Sequence, residues 1–497
     1  MLKVLFINPS KWGRGITPIW IASHSGLLKA SDYQIQYFDS TFYKKWGFNE
    51  HKYNTDNQQY KPTDYEKKIK YNDSNIFANL QKQVDEFLPD IIFSSAISSH
   101  IHGEGEYVNI QYYDELVSKI NTTALKIAGG LQPTAKPRLV VTQLKNIDIF
   151  IRGESEFVLK NICDKYRKGQ SYKNLDGLLF KDKISDSIII NNKQPIISNL
   201  SSIGKYDYSL FESQIFLRSY NGKIIKAVDY ELSRGCVYAC DYCVETIIQD
   251  YYGFDDITKK GVIKNAKSYL RNKEASQIFN EIKELNDNYE IELFRCQDTN
   301  FLTIDKKVLI ELSELISSSN LNIKLYIETR PEGISEGSVK LLKKLNVDGV
   351  GMGIETSSEN FREDNLNRFA DQKRIINAFK ILKKNNIKRT AYNIIGLPNE
   401  DEESIMNTIK FNSLLNPDNI TVAFYSPYIG TAQEKKAKSL NYFSNYEKDV
   451  DGQLRSLNTT GLLSLDTLNF YKKYFNYFVK NGFDKINDFK DKFFHDA

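Results

Sequence analysis

The chain has 497 residues, which suits about three domains, and 67 basic against 63 acidic residues leave a formal charge of only +4. So even a balance, with no basic block, argues against a nucleic-acid partner. No window reaches the ~20 apolar residues of a membrane span, and the opening Met1-Leu-Lys-Val-Leu-Phe-Ile-Asn-Pro run is too short for a signal peptide, so a soluble cytoplasmic protein is expected.

Lys3-Val-Leu-Phe-Ile-Asn-Pro9 reads as a buried parallel strand stopped by Asn-Pro. A helix-like stretch over 18–30 leads to a second strand, Tyr33–Asp39. The alternation continues through Asp90–Ile97, the periodic segment Tyr107–Ile120 and Ala124–Gly130. This pattern predicts a doubly wound parallel sheet. Such sheets bind ligands at the carboxyl ends of their strands, where Asn8, Ser94 to Ser99 and Gly129-Gly130 fall. Residues 43–76, rich in Lys, Asn, Tyr and Asp, read as a polar surface excursion ahead of the helix-like Ile76–Phe87. His24, His100 and His102 read as solvated or hydrogen-bonded side chains rather than metal ligands. Cys163, inside the amphipathic run Glu156–Tyr166, reads as a core thiol, and residues 171–227 as a linking region with short strand-like pieces.

Three of the five cysteines then fall within Cys236-Val-Tyr-Ala-Cys240-Asp-Tyr-Cys243. With no histidine near, this triplet suits an iron–sulfur cluster better than structural zinc, which usually takes four Cys or His ligands. Three ligands on a four-iron cube leave one iron open. Residues 228–235 read as a strand ending in Gly235, which sets the cysteines at a strand's carboxyl end, where parallel α/β barrels keep their active sites.

Five further strands follow, at Glu290–Arg295, Ile323–Thr329, Gly349–Glu355, Arg389–Gly396 and Asn419–Ser426. Amphipathic segments such as Lys306–Ile316, Ile375–Lys384 and Glu402–Leu415 separate them. Six strands are too few for a closed eightfold barrel. Polar residues gather at their ends: Gln297-Asp298-Thr-Asn300, Thr329-Arg330, Gly353-Ile-Glu355 and Gly396-Leu-Pro398. Cys296 reads as a packed thiol. The aromatic stripe in Leu462–Val479 reads as core within a helical region, 432–497.

The C-x3-C-x2-C spacing, preceded by Leu-Ser-Arg-Gly235, resembles the signature of the radical S-adenosylmethionine (SAM) superfamily. The resemblance implies a [4Fe–4S] cluster on Cys236, Cys240 and Cys243, with SAM on the open iron. It sets Tyr242 beside the adenine, Glu355 against the cofactor, and Ile395 on the adenine-side strand Asn393–Pro398. Asp298 and Glu355 can accept from the cofactor's ammonium and Arg330 can pair with its carboxylate. Over about residues 1–165, the loop with Ser95, Ala-Gly129-Gly130-Leu-Gln132-Pro-Thr134 and Ile151-Arg-Gly-Glu-Ser-Glu156 resemble the cobalamin-binding domain that precedes many radical SAM cores. There the serine loop and the Gly-Gly loop flank the cofactor's nucleotide tail. The Asp-x-His-x-x-Gly pattern of other cobalamin proteins is absent, so no cobalt-ligating histidine is assigned.

The expected architecture is therefore α/β. A Rossmann-like cobalamin-binding domain (1–170) and a linker (171–227) precede a partial (β/α)6 barrel (228–431) and a small helical region (432–497). The implied activity is methylation of an unactivated carbon of a small-molecule or natural-product substrate. A 5'-deoxyadenosyl radical would abstract a hydrogen and methylcobalamin would supply the methyl group, with an external electron donor such as flavodoxin or ferredoxin. A non-methylating rearrangement, cyclisation or oxidation on the same scaffold is the alternative, and a non-catalytic corrinoid or iron–sulfur sensor is the alternative from another class.

Overall fold

Val4, Leu5, Phe6 and Ile7 are all fully buried. Consecutive strand residues point to opposite faces, so a strand buried at every position must be covered on both sides. A computed structural model of the protein describes residues 1–11, 16–31, 33–47, 49–95, 110–425, 427–440 and 463–495. In it β1 (Lys3–Asn8) lies between β2 (Gln34–Asp39) and β3 (Ile91–Ser94), followed by β4 (Leu125–Gly130) and β5 (Ile149–Arg152), all parallel in the order β2-β1-β3-β4-β5. The order reverses between β1 and β3, which opens a crevice at their carboxyl ends, beside Asn8 and Ser94. Residues 96–99, His100 and His102 lie outside the described residues.

The segment 171–227 is more than a linker. Strands β6 (Leu178–Lys181) and β7 (Ile188–Ile190) extend the first sheet antiparallel. Leu200, Ile203, Tyr206, Ile215 and Phe216 then join one hydrophobic core that also holds Phe6 of the first sheet and Phe294 of the second. The two units are thus packed together rather than tethered.

The second sheet holds the six expected parallel strands and one more. Strand β8 (Leu217–Tyr220) turns through Asn221-Gly222 into β9 (Lys223–Tyr230), so the strand expected at 228–235 begins earlier and ends at Tyr230. Beyond it β10 (Ser233–Arg234) pairs with β11 (Arg271–Asn272) and directs the chain into the cysteine loop. Strands β12 (Leu293–Cys296), β13 (Lys324–Glu328), β14 (Val347–Glu355), β15 (Lys388–Ile395) and β16 (Asn419–Phe424) complete an open sheet, β16-β15-β14-β13-β12-β9-β8. The helix Leu465–Asn481 covers its outer face. Leu468, Phe470, Phe475 and Phe478 pack there with Ile395, Ile405 and Ile420, so the aromatic stripe is core, as expected. Among the described residues no helix is long and apolar enough to cross a membrane.

The polar segment within 43–76 corrects the expectation of a surface excursion. It spans the open side of the second sheet. His51 Nε2 lies 2.7 Å from Ser219 Oγ on β8, and Gln59 Oε1 accepts the Val422 N–H of β16 at 2.6 Å. An edge strand leaves its N–H groups without ladder partners, and here a side chain from the first unit takes one. Polarity that looked like solvent exposure serves the two sheet edges.

A buried charge network joins the units where the chain enters the cysteine loop. Arg234, 1% exposed, sets Nη2 2.6 Å from Glu156 Oε1 and 2.7 Å from Glu231 Oε1, and Nη1 3.3 Å from Glu154 Oε1. Arg271 Nη1 meets Glu154 Oε1 at 2.7 Å. Burial alone raises the Glu156 carboxyl, but the charges of Arg234 and His24 outweigh it and hold the group below its usual range. Removing Arg234 would strand three buried carboxylates on one remaining guanidinium. Arg234→Met is therefore expected to cost about 3–5 kcal/mol of unfolding free energy, read by urea denaturation. A loss below about 1 kcal/mol, the range of exposed pairs, would contradict the network's role.

Candidate active site

Alternate residues of the second sheet's strands, among them Arg295, Tyr326, Glu328, Gly351, Gly353, Tyr392 and Thr421, face one cavity of about 770 Å³. Its outer wall is the spanning segment, through Glu50, His51, Tyr53, Gln59 and Tyr60, and its far end is the cysteine loop. Glycines keep the floor of β14 low. A Cβ at Gly351 would meet Tyr392 Oη at 2.5 Å, and one at Gly349 would meet Tyr220 Oη at 2.9 Å. In the space so freed Tyr326 Oη lies 2.8 Å from Tyr392 Oη, which donates to Glu328 Oε1 at 2.9 Å.

Cys236, Cys240 and Cys243 all line this cavity. The loop is held by its backbone: Gln249 Nε2 donates to the carbonyls of Cys236 (2.9 Å) and Tyr238 (3.1 Å), Asn367 Nδ2 to that of Ala239 (2.7 Å). Gly235, at φ +99°, is required at the entry, where a Cβ would lie 2.6 Å from the Tyr269 carbonyl oxygen. Burial pushes the Cys236 thiol up to about 12 and raises Cys243 well above its ordinary value. Metal capture here must therefore release protons. Arg330 Nη1 lies 3.6 Å from Cys240 Sγ, and its guanidinium stacks 3.7 Å over the Tyr238 ring. Among the described residues no three His, Cys, Asp or Glu side chains close on a single-ion site. The three thiols instead share one corner of the cavity, an arrangement that fits a polynuclear cluster taking one thiolate per iron.

Tyr242 and Glu355 come together as well. Tyr242 Oη donates to Glu355 Oε1 at 2.9 Å, and Arg368, unnoticed in the sequence, sets Nη1 3.3 Å from Tyr242 Oη and 3.8 Å from Glu355 Oε1. Glu355 sits at φ +62° beside a register shift in β14. Its carboxylate folds back over Gly353, where a Cβ would collide with it. Such left-handed strain at a non-glycine residue recurs at functional positions. Arg330 also ion-pairs with Glu332, so its guanidinium already has a protein carboxylate.

Two expected residues point elsewhere. Asp298 is fully buried away from the cavity. Its Oδ1 accepts from Leu232 N (3.1 Å), Ser233 N (2.6 Å) and Ser233 Oγ (2.5 Å), fixing the turn ahead of the cysteine loop, while Thr299 lines the cavity instead. Ile395 packs in the outer core, and its neighbour Ile394 faces the cavity.

In the first unit, Ser95, Gly129, Gly130, Gln132 and Thr134 cluster at the strand ends. A Cβ at Gly129 would meet Ser95 Oγ at 2.9 Å, so bare backbone is needed beside that hydroxyl. Thr134 Oγ1 donates to Gly130 O at 2.7 Å and accepts from Gly153 N at 2.8 Å. The short helix after Gly130 (Leu131–Ala135) packs on the helix after Cys243 (Glu245–Tyr252), through Leu131, Ile247 and Ile248, so the crevice and the cysteine loop share a boundary. His24 is buried and hydrogen-bonded rather than solvated, 2.6 Å from Trp20 O and 2.9 Å from Ser155 Oγ.

An open parallel α/β sheet with a three-thiol loop at its carboxyl end, backed by a doubly wound sheet, defines a class of cluster-dependent enzyme folds. Residues 230–411 match the Radical SAM superfamily, and they are a radical SAM domain. An uncharacterised methyltransferase of Pyrococcus horikoshii is 25% identical over 355 residues, 71% of either chain. An anaerobic magnesium-protoporphyrin IX monomethyl ester cyclase of Cereibacter sphaeroides is 22% identical over 441 residues, 86% of this chain and 62% of the relative. Two solved structures share the fold across both units. TsrM from Kitasatospora setae, a radical SAM methyltransferase with tryptophan and a SAM analogue bound, matches at TM-score 0.63 and 15% identity over 89% of this chain and 77% of its own. OxsB, a cobalamin-dependent SAM radical enzyme with aqua-cobalamin and SAM bound, matches at TM-score 0.64 and 13% identity over 95% and 66%.

The geometry yields two predictions. Gly353→Ala is expected to cost about 1–3 kcal/mol through overpacking and to couple with Tyr242→Phe by more than about 0.5 kcal/mol in a double-mutant cycle, because both lose one hydrogen bond. Additive losses would contradict the fold-back. The second concerns pH. Burial raises the Asp298 carboxyl to about 7, above the ordinary value of about 3.9. Across that window the unfolded chain has released a proton that the native state keeps, so this group lowers stability as pH rises. Asp298→Asn should flatten the pH dependence of urea unfolding between the window's two ends, and an unchanged slope would count against the assignment.

Proposed function

We propose that the protein is a cobalamin-dependent radical SAM enzyme that methylates a carbon of a compact small molecule. The observation that carries this is one cavity containing three cysteine thiols at its end and a wall supplied by the first unit. Cys236, Cys240 and Cys243 would hold a [4Fe–4S] cluster with one iron free for SAM. When bound, the cluster supplies the electron that breaks the SAM carbon–sulfur bond, and a corrinoid carries the methyl group. Glu355, kept in place by Tyr242 and Arg368, is the acceptor for the cofactor's ammonium, and Arg330 sets its guanidinium beside Cys240 Sγ. Ser95, Gly129 and Gly130 are the crevice residues for cobalamin, and Gln132 and Thr134 hold the adjoining turn. The segment spanning the open side walls a cavity of about 770 Å³, a size that favours a small molecule.

A second reading, an oxidative or cyclising reaction without methyl transfer, is favoured by the cyclase relative that aligns over 86% of this chain. Anaerobic reconstitution with iron, sulfide and hydroxocobalamin, followed by methyl-labelled SAM, separates the two. Label recovered in the corrinoid fraction together with 5'-deoxyadenosine supports methylation; 5'-deoxyadenosine with no label in the corrinoid supports the second reading. Neither product from reconstituted, reduced protein would sink both and leave a sensor. Cys240→Ala is expected to retain the wild-type thermal midpoint, lose the visible cluster absorbance and form no 5'-deoxyadenosine. A full cluster in that variant would show that Cys240 is no ligand.

A further inference from the structure

Away from the cavity, the cysteine loop is packed by several neighbouring elements. Every residue from 236 to 243 is buried or half-buried: Gln249 covers the loop from the helix that follows, Asn367 from the barrel, and the helix Leu131–Ala135 packs behind. Among the described residues one strongly exposed segment adjoins the loop, the hairpin of residues 254–265. It hydrogen-bonds directly to the loop backbone, Ala239 N to Gly261 O at 2.9 Å and Ile263 N to Val237 O at 2.9 Å. Its tip is a turn closed by Gly261 N to Thr258 O at 3.0 Å, with Lys259 and Lys260 at the two central positions. Residues 255–260 are exposed without a break. Lys264 is neutralised by Asp256 at 2.8 Å. Lys259, Lys260 and, just beyond, the exposed Lys267 form no ion pair among the described residues.

We infer that this lysine-tipped hairpin is the docking surface for an acidic one-electron carrier protein. The inference rests on the functional reading above, because cleavage of one SAM carbon–sulfur bond consumes one electron. The carrier is oxidised by one electron, the cluster is reduced by one, and that electron leaves with the broken bond as methionine and the 5'-deoxyadenosyl radical. Among the described residues the remaining cysteines, Cys163 and Cys296, are single buried thiols, so no second thiolate set stands there to store the electron. The electron therefore comes from a carrier at the surface, and the hairpin is an exposed segment bonded directly to the loop backbone. From Lys260 the path runs through the Gly261 carbonyl and the Ala239 N–H to Cys240, one hydrogen bond between the tip and a cluster thiol. An exposed, lysine-tipped hairpin, whose Asp256 is taken up by Lys264 and whose Asp255 remains beside the tip, suits a weak, salt-sensitive encounter with a negative partner, in which charge governs association.

The test measures binding of reconstituted protein to flavodoxin and, in parallel, to a plant-type ferredoxin by titration calorimetry at low and moderate salt, with dithionite-driven 5'-deoxyadenosine formation as control. The triple variant Lys259→Glu, Lys260→Glu, Lys267→Glu is expected to weaken binding at least about tenfold and to lose the salt dependence, with the dithionite reaction unchanged. The neutral set Lys259→Gln, Lys260→Gln, Lys267→Gln should fall between, and it decides the matter if charge reversal disturbs folding. Unchanged affinity in both sets, or no binding of either carrier by the unaltered protein at low salt, overturns the docking surface. Failure of the unaltered protein to cleave SAM with dithionite would overturn the functional reading itself.

Discussion

The structure depends on a cluster of charges that water never reaches. Glu154 and Glu156 follow the last parallel strand of the first sheet, while Glu231 and Arg234 lie between β9 and the first cysteine. Each charge would be costly alone in that interior, and each is tolerated because an opposite charge lies within hydrogen-bonding reach. The consequence is geometric. The residues that direct the chain into the cysteine loop are pinned to the residues that close the first unit's crevice, so any group held in one has a fixed relation to the other. Any reaction between groups held in the two units needs that fixity, since reacting atoms must meet within a narrow range of distance and angle.

The spanning segment gives the same constraint a second expression. A sheet of seven strands with two unpaired edges would leave one side of the chamber open. The first unit supplies the missing wall and ties it to both edges, at Ser219 and at Val422. The chamber is thus assembled from both units, and its tyrosine hydroxyls, on β8, β13, β15 and the wall, add donors and acceptors to the charged and polar side chains that line it.

The fold was largely legible in the sequence. Apolar runs such as Lys3–Asn8 and Gly349–Glu355 announce strands buried on both faces, and the cysteine spacing marks the site. The errors have physical causes. The Asn221-Gly222 pair, with φ of +52° and +82°, is a strong hairpin signal, and reading it would have found β8 and the true start of β9. Asp298 and Ile395 were each displaced by one position from the cavity-facing Thr299 and Ile394. Side chains alternate along an extended backbone, so one position exchanges the inside for the outside. Residues 49–65 carry the composition of a solvated loop, and only the three-dimensional neighbourhood reveals that their polar groups complete sheet edges. Arg368 has no local signature, because its partners Tyr242 and Glu355 lie 126 and 13 residues away in sequence.

The central claim is a cube held by three thiolates with its fourth iron free. Mössbauer spectroscopy of protein reconstituted with ⁵⁷Fe, recorded before and after SAM is added, tests it most directly. One iron in four should change its isomer shift when SAM binds, with the other three unmoved. Four equivalent irons that ignore SAM, or the absence of any cluster signal, would contradict it.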